Sequence, residues 1–231
     1  MTQSSLGTIL LVCTSHADLG ETGNKTGLWM EELTAPYFAF LDAGYQIEIA
    51  SLAGGTPPID PGSMKKEMQG PSVARFDADA EANAKFEATT PLEDIADMSR
   101  FAAIFLAGGH GTMWDFPENN QLGSLVAEAT KASKAVGAVC HGVAGLLAGD
   151  APVALKGKSV AGFSNEEEAA VGLTAVVPFL LATRLEERGF TYSKGDVFTP
   201  YIVTDGLLVT GQNPMSSLAT AEAMITVMAQ A

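Results

Sequence analysis

A cysteine and a histidine stand side by side between glycines in residues 135–147, and they are the pair best suited to nucleophilic chemistry. The residues before Cys140 are small or β-branched, which is typical of a short buried strand, and those after it favour a helix. Gly137 and Gly142 flank the junction and give the backbone room for a sharp turn. The pattern predicts a nucleophile elbow, with the Cys140 side chain held at the mouth of a parallel sheet.

The start of the helix after Cys140 also bears on the reactivity of the thiol. Unpaired N–H groups and a positive partial charge at a helix start favour a thiolate over a thiol. We therefore expect a lowered pKa for Cys140 and an oxyanion site that begins with the N–H of His141. The alternative is that Cys140 packs in the core as a small hydrophobe, as most free cysteines do.

A second glycine-rich segment, Gly108-Gly109-His110-Gly111, follows the apolar run at 101–107. Glycines at the end of a strand let the backbone approach a ligand and direct N–H groups towards it. A phosphate-binding loop of the Walker type needs Gly-Lys-Ser/Thr, which this segment lacks. We interpret Gly108, Gly109 and His110 as an oxyanion or substrate-binding segment beside Cys140.

Two groups of glutamates are candidates for moving protons or orienting a histidine. Glu31 and Glu32 stand among apolar residues of a helix predicted to end at Gly44. Neighbours on a helix differ by about 100°, so one of the pair can face inward, where burial would raise its pKa; the alternative is that both are solvated. The other group is the three consecutive glutamates at 166–168, typical of a solvated helix start, of which one could orient a histidine.

These candidate groups need a sheet that brings them together. Continuous apolar runs at residues 7–15, 101–107 and 135–139 predict buried strands of a parallel sheet covered on both faces. Alternation at 45–51 predicts a strand nearer the edge, and an Asp-Gly pair within 202–210 predicts a hairpin. Helical segments alternate with the strands, so we predict an α/β fold, a three-layer sandwich with a mostly parallel central sheet and a site at the carboxyl ends of its strands.

Composition limits the classes of function. Among 231 residues, 13 are basic and 27 acidic, and the net charge of −14 argues against nucleic acid or a membrane surface as a partner. No linker or repeat divides the sequence, so residues 1–231 are predicted to form a single domain. The two cysteines, Cys13 and Cys140, show neither a disulfide framework nor zinc-ligand spacing. We expect Cys13 to be a core residue, no metal or cofactor, and a reducing, cytoplasmic location.

Four stretches resemble the DJ-1/ThiJ/PfpI superfamily, within the flavodoxin-like class I glutamine amidotransferase fold. They are Thr26-Gly27 with Glu32 and Pro36; Gly108-Gly109-His110-Gly111 with Met113-Trp114-Asp115; Ala138-Val139-Cys140-His141-Gly142; and Thr210-Gly211-Gln212-Asn213-Pro214-Met215-Ser216. The Gly-Gly-His-Gly and Gly-Gln-Asn-Pro forms are most similar to the branch of heat-shock protein 31-like glyoxalase III enzymes.

The resemblance implies a role for each matching residue. Cys140 would be the nucleophile, and Glu32 would hydrogen-bond its sulfur and act as a general base. His141 would be the triad histidine, with Glu168 as its acidic partner, although the sequence leaves the choice among the three adjacent glutamates open. The amides of Gly109 and His141 would form the oxyanion site.

The resemblance also implies an activity, conversion of methylglyoxal or glyoxal to lactate or glycolate through a Cys140 hemithioacetal without a cofactor, and with it a homodimer. The same chemistry could act on glycated thiols or amines as a deglycase. Glutamine hydrolysis in this fold needs a histidine well downstream of the cysteine. The three histidines here are His16, His110 and His141, and none of them follows residue 141, so we do not expect glutamine hydrolysis.

Two further functions remain open at this stage. One is a stress chaperone that binds unfolded clients through an exposed apolar patch, for which Trp29, Met30, Tyr37 and Phe38 are candidates, unless they are core or dimer contacts. The other is a redox sensor in which Cys140 is oxidised to a sulfinic acid.

Overall fold

The centre of the protein is a sheet of mostly parallel strands, seen in a computed structural model that describes residues 6–231; residues 1–5 of the predicted domain lie outside it. The strands run in chain order as β1 (Thr8–Cys13), β2 (Gln46–Ser51), β3 (Thr90–Pro91), β4 (Phe101–Leu106), β5 (Ala135–Val139), β6 (Ser159–Val160), β7 (Thr191–Tyr192), β8 (Ile202–Asp205) and β9 (Leu208–Gly211). In this part of the chain the central sheet has the order β3-β2-β1-β4-β5-β9-β8, and β6 pairs with β7 in a small separate sheet. The predicted α/β fold is confirmed.

Helices flank the sheet. The α-helices are α1 (Met30–Asp42), α2 (Pro71–Asp77), α3 (Ala80–Glu87), α4 (Thr112–Asp115), α5 (Asn120–Lys131), α6 (Ala151–Ala154), α7 (Asn165–Ala170), α8 (Leu181–Glu187) and α9 (Ser217–Gln230). Short 3-10 helices occupy Pro61–Met64, Lys66–Met68, Leu92–Asp94, Cys140–Leu147 and Pro214–Ser216. Within residues 6–231, no helix combines the length and apolar character that crossing a bilayer requires.

The register of the sheet explains its apolar strands. β1 pairs in parallel with β2 on one side and β4 on the other, so that Leu10 lies opposite Glu48 and Ile104. The side chains of β1 from Ile9 to Cys13 are completely buried, as expected for a parallel strand covered on both faces. Only β8 and β9 pair antiparallel among the described strands, through the hairpin predicted at Asp205-Gly206.

The segment after Cys140 winds more tightly than expected. The sequence predicts an ordinary helix there, whereas the structure has a 3-10 helix over Cys140–Leu147. Two glycines press this helix onto β4: a Cβ on Gly142 would lie 2.5 Å from the Leu106 carbonyl oxygen, and one on Gly145 would lie 2.6 Å from Leu106 Cδ1. The 3-10 helix is narrower than an α-helix, and its two glycines let it lie very close to β4.

The apolar residues considered as a chaperone patch do not form one. Met30, Tyr37 and Phe38 are at most 3% exposed, because this face of α1 packs against the core and against α2, where Tyr37 meets Phe76 edge to face at 5.7 Å. Trp29 is half-buried and precedes α1. The core interpretation is therefore correct for Met30, Tyr37 and Phe38.

Candidate active site

Cys140 lies at a strained turn between β5 and the 3-10 helix. Its φ of +56° falls in the left-handed region, which costs a non-glycine residue energy and is typical of functional turns. The neighbouring strand end leaves no room beside it, since a Cβ on Gly108 would lie 2.6 Å from the Val139 carbonyl oxygen and 2.7 Å from the Gly142 nitrogen. The sharp strand-to-helix turn predicted from the flanking glycines is present.

A chain of contacts runs from the sulfur of Cys140 to a carboxylate. The Sγ atom lies 3.4 Å from His141 Nδ1, and His141 Nε2 lies 2.8 Å from Glu168 Oε2. The other oxygen of Glu168 lies 2.9 Å from His110 Nε2. One buried carboxylate thus bridges two imidazoles whose ring centres are 4.0 Å apart.

The protonation of this chain follows from burial and hydrogen bonding. Burial by itself raises the pKa of Glu168, but hydrogen bonds from His110 and His141 outweigh it and hold the pKa at about 2. Burial, with His110 close by, lowers the pKa of His141 to about 4. At neutral pH Glu168 is therefore ionised and His141 is neutral. The carboxylate accepts from Nε2–H, which leaves the lone pair of Nδ1 directed at the sulfur.

Of the three consecutive glutamates, Glu168 is the one that contacts a histidine. Glu166 is exposed and pairs with Lys194 at 3.0 Å. Glu167 is buried and forms a capping box with Ser164, the N-terminal cap of α7. The helix sends the three side chains in different directions, so α7 presents a single carboxylate to His141.

Glu167 anchors the cavity mouth, a role that the sequence analysis did not assign. Its Oε1 accepts hydrogen bonds from the Phe198 N–H at 2.9 Å, from Gln212 Nε2 at 3.0 Å and from Asn213 Nδ2 at 2.9 Å. A buried carboxylate with this many donors fixes the segments that supply them. The Gly-Gln-Asn-Pro motif was the available signal, but nothing in the sequence pairs it with Glu167.

Glu32 brings a second carboxyl to the sulfur. The side chain is fully buried, and neither oxygen completes a well-formed hydrogen bond within the described residues. Burial raises the pKa of Glu32 well above its ordinary value, against smaller opposite effects of the Cys140 thiol and the Gly108 N–H beside it. Glu31 points away, accepting hydrogen bonds from the Gly70 N–H at 3.0 Å and the Ser72 hydroxyl at 2.9 Å.

The expected lowering of the Cys140 pKa is wrong. Burial is the largest influence and, with the adjacent Glu32 carboxyl, raises the pKa of the thiol; the His141 N–H lowers it by less. The helix start cannot compensate for loss of water around a buried sulfur. Because two adjacent buried groups cannot both ionise cheaply, Cys140 and Glu32 together carry at most one negative charge near neutral pH.

The glycine-rich segment lies against the same site. Gly109 has a φ of +109°, and a Cβ there would lie 2.3 Å from the Gly27 carbonyl oxygen, so glycine is required. Gly109 and His110 line the cavity in front of Cys140. Gly108 sits behind them, where its carbonyl accepts a hydrogen bond from the Trp29 N–H at 3.1 Å.

The site opens into a cavity of about 340 Å³. The groups already described line its floor, namely Glu32, Gly109, His110, Cys140 and His141. Its walls and mouth come from residues that are widely separated in the sequence and mostly apolar, namely Trp29, Met68, Phe163, Val171, Phe198, Pro214 and Met215. Cys13 is not among the described residues that line it.

Three of the site residues could also hold a metal ion, which corrects the expectation of no ligand cluster. One ligand atom from each of His110, His141 and Glu168 lies within 4.8 Å of the others. Sequence spacing missed this group because the three residues follow different strands, β4, β5 and β6. The same nitrogens face the Glu168 carboxylate in hydrogen bonds, so a cation there would displace their protons.

Glu168→Gln is expected to lower kcat by roughly 10- to 100-fold, the usual cost of losing a group that orients a functional histidine. An amide no longer fixes the Nε2–H tautomer of His141, so Nδ1 would be less well directed at the sulfur. Steady-state rates on methylglyoxal, the substrate that the sequence resemblance implies, measure the effect. Glu166→Gln is the matched control on the same helix, and equal losses in both variants would contradict the assignment of Glu168.

Glu32→Gln is expected to stabilise the fold at alkaline pH. The folded pKa of Glu32 lies above the ordinary value of 4.5, so the unfolded chain releases this proton first, and wild-type stability falls as pH rises from about 4.5 towards the folded pKa. Glutamine carries no such penalty. Its Tm at pH 8 should exceed that of wild type by at least ~2 °C, and the difference should shrink towards pH 4. A difference in Tm that does not change with pH would show that the pKa of the Glu32 carboxyl is not raised by burial.

The chain matches known proteins over nearly the whole of its length and of theirs. The family model described as the DJ-1/PfpI family matches residues 26–227. The glutathione-independent glyoxalase hsp3101 of Schizosaccharomyces pombe is 31% identical over 243 residues, covering 97% of this chain and 97% of the relative. Glyoxalase 3 of Candida albicans is 29% identical over 228 residues, covering 94% and 96%.

Solved structures agree with these sequence matches. The Rapid Encystment Protein REP24 of Francisella tularensis superimposes with a TM-score of 0.90 at 39% identity, covering 96% of this chain and 99% of that one. The crystal structure of glyoxalase III from Candida albicans gives a TM-score of 0.87 at 29% identity, covering 96% and 97%.

Proposed function

Because the chain belongs to the DJ-1/PfpI family, and its relatives include glutathione-independent glyoxalases, we propose that it is a glyoxalase of this kind. It converts methylglyoxal or glyoxal to lactate or glycolate, with Cys140 as the nucleophile. The observation that carries the proposal is the buried Cys140 sulfur, 3.4 Å from a neutral imidazole and beside a carboxyl of raised pKa. This set can add a thiol to an aldehyde and then move a proton between carbons.

The first step is addition of the Cys140 sulfur to the aldehyde carbon. The reactive form of the Cys140–Glu32 pair carries one proton and one negative charge. As the sulfur bonds to the aldehyde carbon, that single proton passes to the aldehyde oxygen, directly or by way of His141 Nδ1. The product is a neutral hemithioacetal, and Glu32 is left as a carboxylate. Gly109 and His141 both line the cavity, which supports the assignment of their N–H groups as donors to the developing oxyanion.

The second step is an internal transfer of hydrogen. Glu32 removes the C1–H proton to give an enediol and returns it to C2, while His141 moves the hydroxyl proton from the C1 oxygen to the C2 oxygen. The result is a thioester of a 2-hydroxy acid. Water then hydrolyses the thioester, which releases the acid and restores the thiol. The aldehyde carbon is oxidised as the ketone carbon is reduced, so no external oxidant is consumed.

The proposed function is tested by D-lactate formation from methylglyoxal. The purified protein is assayed without glutathione and with a metal chelator, and D-lactate is measured with a stereospecific dehydrogenase. Stoichiometric D-lactate that depends on enzyme concentration is the expected result. Absence of lactate from a correctly folded sample would overturn the proposal.

The two alternatives have less support. Of the apolar side chains considered for a chaperone surface, Met30, Tyr37 and Phe38 are core residues of α1, and Trp29 lines the cavity in front of Cys140. A redox sensor relies on a readily formed thiolate, whereas burial raises the pKa of Cys140. No observation favours either alternative over the glyoxalase proposal.

A further inference from the structure

The cavity in front of Cys140 is larger than a three-carbon dicarbonyl needs. Its volume is about 340 Å³, whereas a cavity of about 150 Å³ already holds a benzene molecule. Methylglyoxal has fewer non-hydrogen atoms than benzene and would leave more than half of this space unfilled. The volume lies within the range of pockets that bind considerably larger small molecules.

The walls of the cavity are almost entirely apolar. Every group identified above for the reaction lies on the floor, around the sulfur. The walls are formed by aromatic, aliphatic and thioether side chains, namely Trp29, Met68, Phe163, Val171, Phe198 and Met215. A polar substituent on the substrate would lose its water there with little in return, whereas an apolar one gains by burial.

Phe198 is held at the mouth of this cavity at a cost in backbone strain. Its φ is +54°, in the left-handed region that a non-glycine residue occupies only when its surroundings enforce it. Glu167 enforces it by accepting the Phe198 N–H at 2.9 Å. The residue is 39% exposed. The centre of its ring lies 6.4 Å from that of Phe163, whose ring is tilted against that of His141 with their centres 4.3 Å apart. The anchoring keeps a partly exposed aromatic ring over the entrance to the nucleophile.

The apolar surface continues from the walls to the rim. Val171 and Met215 are 43% and 44% exposed, and both line the cavity together with Phe198. Large exposed apolar side chains that converge on one opening are typical of a surface that contacts a ligand. Their place at the opening means that a long substituent would meet them when its aldehyde reaches Cys140.

We propose that the preferred substrates are 2-oxoaldehydes that carry a bulky apolar substituent, aromatic or branched aliphatic, in place of the methyl group of methylglyoxal. The proposal rests on the glyoxalase function proposed above. The dicarbonyl end reacts at Cys140, and the substituent packs among Phe163, Phe198 and Met215.

Phenylglyoxal is the simplest probe of this class. The Cys140 sulfur adds to its aldehyde carbon, the C1–H proton moves to C2, and hydrolysis of the thioester gives mandelate. The atoms balance with water alone, because the oxidation of one carbon matches the reduction of the other. Its phenyl ring matches the size of the volume that methylglyoxal leaves empty.

The test compares kcat/KM for phenylglyoxal and methylglyoxal, measured as mandelate and lactate formed. Wild type should prefer phenylglyoxal by about 10-fold or more, the scale of discrimination that an apolar pocket gives. Phe198→Ala should lower this preference at least ~5-fold, since the phenyl ring of the substrate loses its contact with the Phe198 ring. Met215→Ala, at an exposed position where folding is not at risk, should lower it in the same direction. Val197→Ala is the control, because Val197 is a similarly exposed neighbour that does not line the cavity.

The outcomes separate the two proposals. Turnover of methylglyoxal with no preference for phenylglyoxal, or a preference that Phe198→Ala and Met215→Ala leave unchanged, would overturn the assignment of bulky substrates and leave the glyoxalase function standing. Failure of the folded protein to turn over either aldehyde would overturn the glyoxalase function itself, and this inference with it.

Discussion

Cys140→Ala is expected to lose at least ~10⁴-fold in kcat/KM on methylglyoxal, because removal of a covalent nucleophile leaves only the positioning effect of the site. Of the two cysteines, both among the described residues, Cys140 is the one that lines the cavity. Its sulfur lies next to His141 and Glu32. Steady-state kinetics and the mass of the protein after trapping with substrate and borohydride measure the loss of turnover and of the covalent adduct.

Cys13→Ala is the matched control for this prediction. Cys13 is fully buried at the end of β1, and burial raises its thiol pKa far above the ordinary value. It packs as a core residue, so its loss should cost some stability and leave kcat close to that of wild type. Comparable inactivation of both variants, with native circular dichroism spectra, would show that Cys140 is not the distinctive nucleophile.

Glu32→Gln is expected to slow turnover at least ~100-fold, the size of effect that follows loss of a general base. The amide can still donate a hydrogen bond to sulfur but cannot take the C1–H proton, so the hemithioacetal should form and then persist. Stopped-flow loss of the iodoacetamide-reactive thiol measures the first step, and lactate release measures the whole cycle. The variant should also have a lower Cys140 pKa, because the neighbouring carboxyl that raises it is gone.

Glu31→Gln is the adjacent control. Its carboxylate accepts hydrogen bonds at the start of α2, from the Gly70 N–H and the Ser72 hydroxyl, and does not reach the cavity. Turnover should therefore remain near the wild-type value. An active Glu32→Gln enzyme, or an inactive but folded Glu31→Gln enzyme, would reverse the roles assigned to the two glutamates.

Local patterns in the sequence were enough for the framework of the fold and for the turn that holds Cys140. Glycines around Cys140 predict a cramped strand-to-helix turn whatever else surrounds it, and the structure has that turn. Apolar runs and an Asp-Gly pair likewise predict buried parallel strands and a hairpin, because both depend on residues that are close in the chain. Helix geometry also allowed one of Glu31 and Glu32 to face inward, but it left open which one, and only the resemblance to the family indicated Glu32.

Tertiary structure decided everything that depends on burial and on contacts between distant segments. The sequence could not tell which of three consecutive glutamates meets His141, because the choice depends on contacts of α7 with distant segments: Glu168 meets His141, whereas Glu167 meets Phe198, Gln212 and Asn213. It also predicted the wrong sign for the Cys140 pKa. A helix start acts over one turn of chain, whereas the desolvation and the Glu32 carboxyl that raise this pKa come from segments that only folding brings around the sulfur.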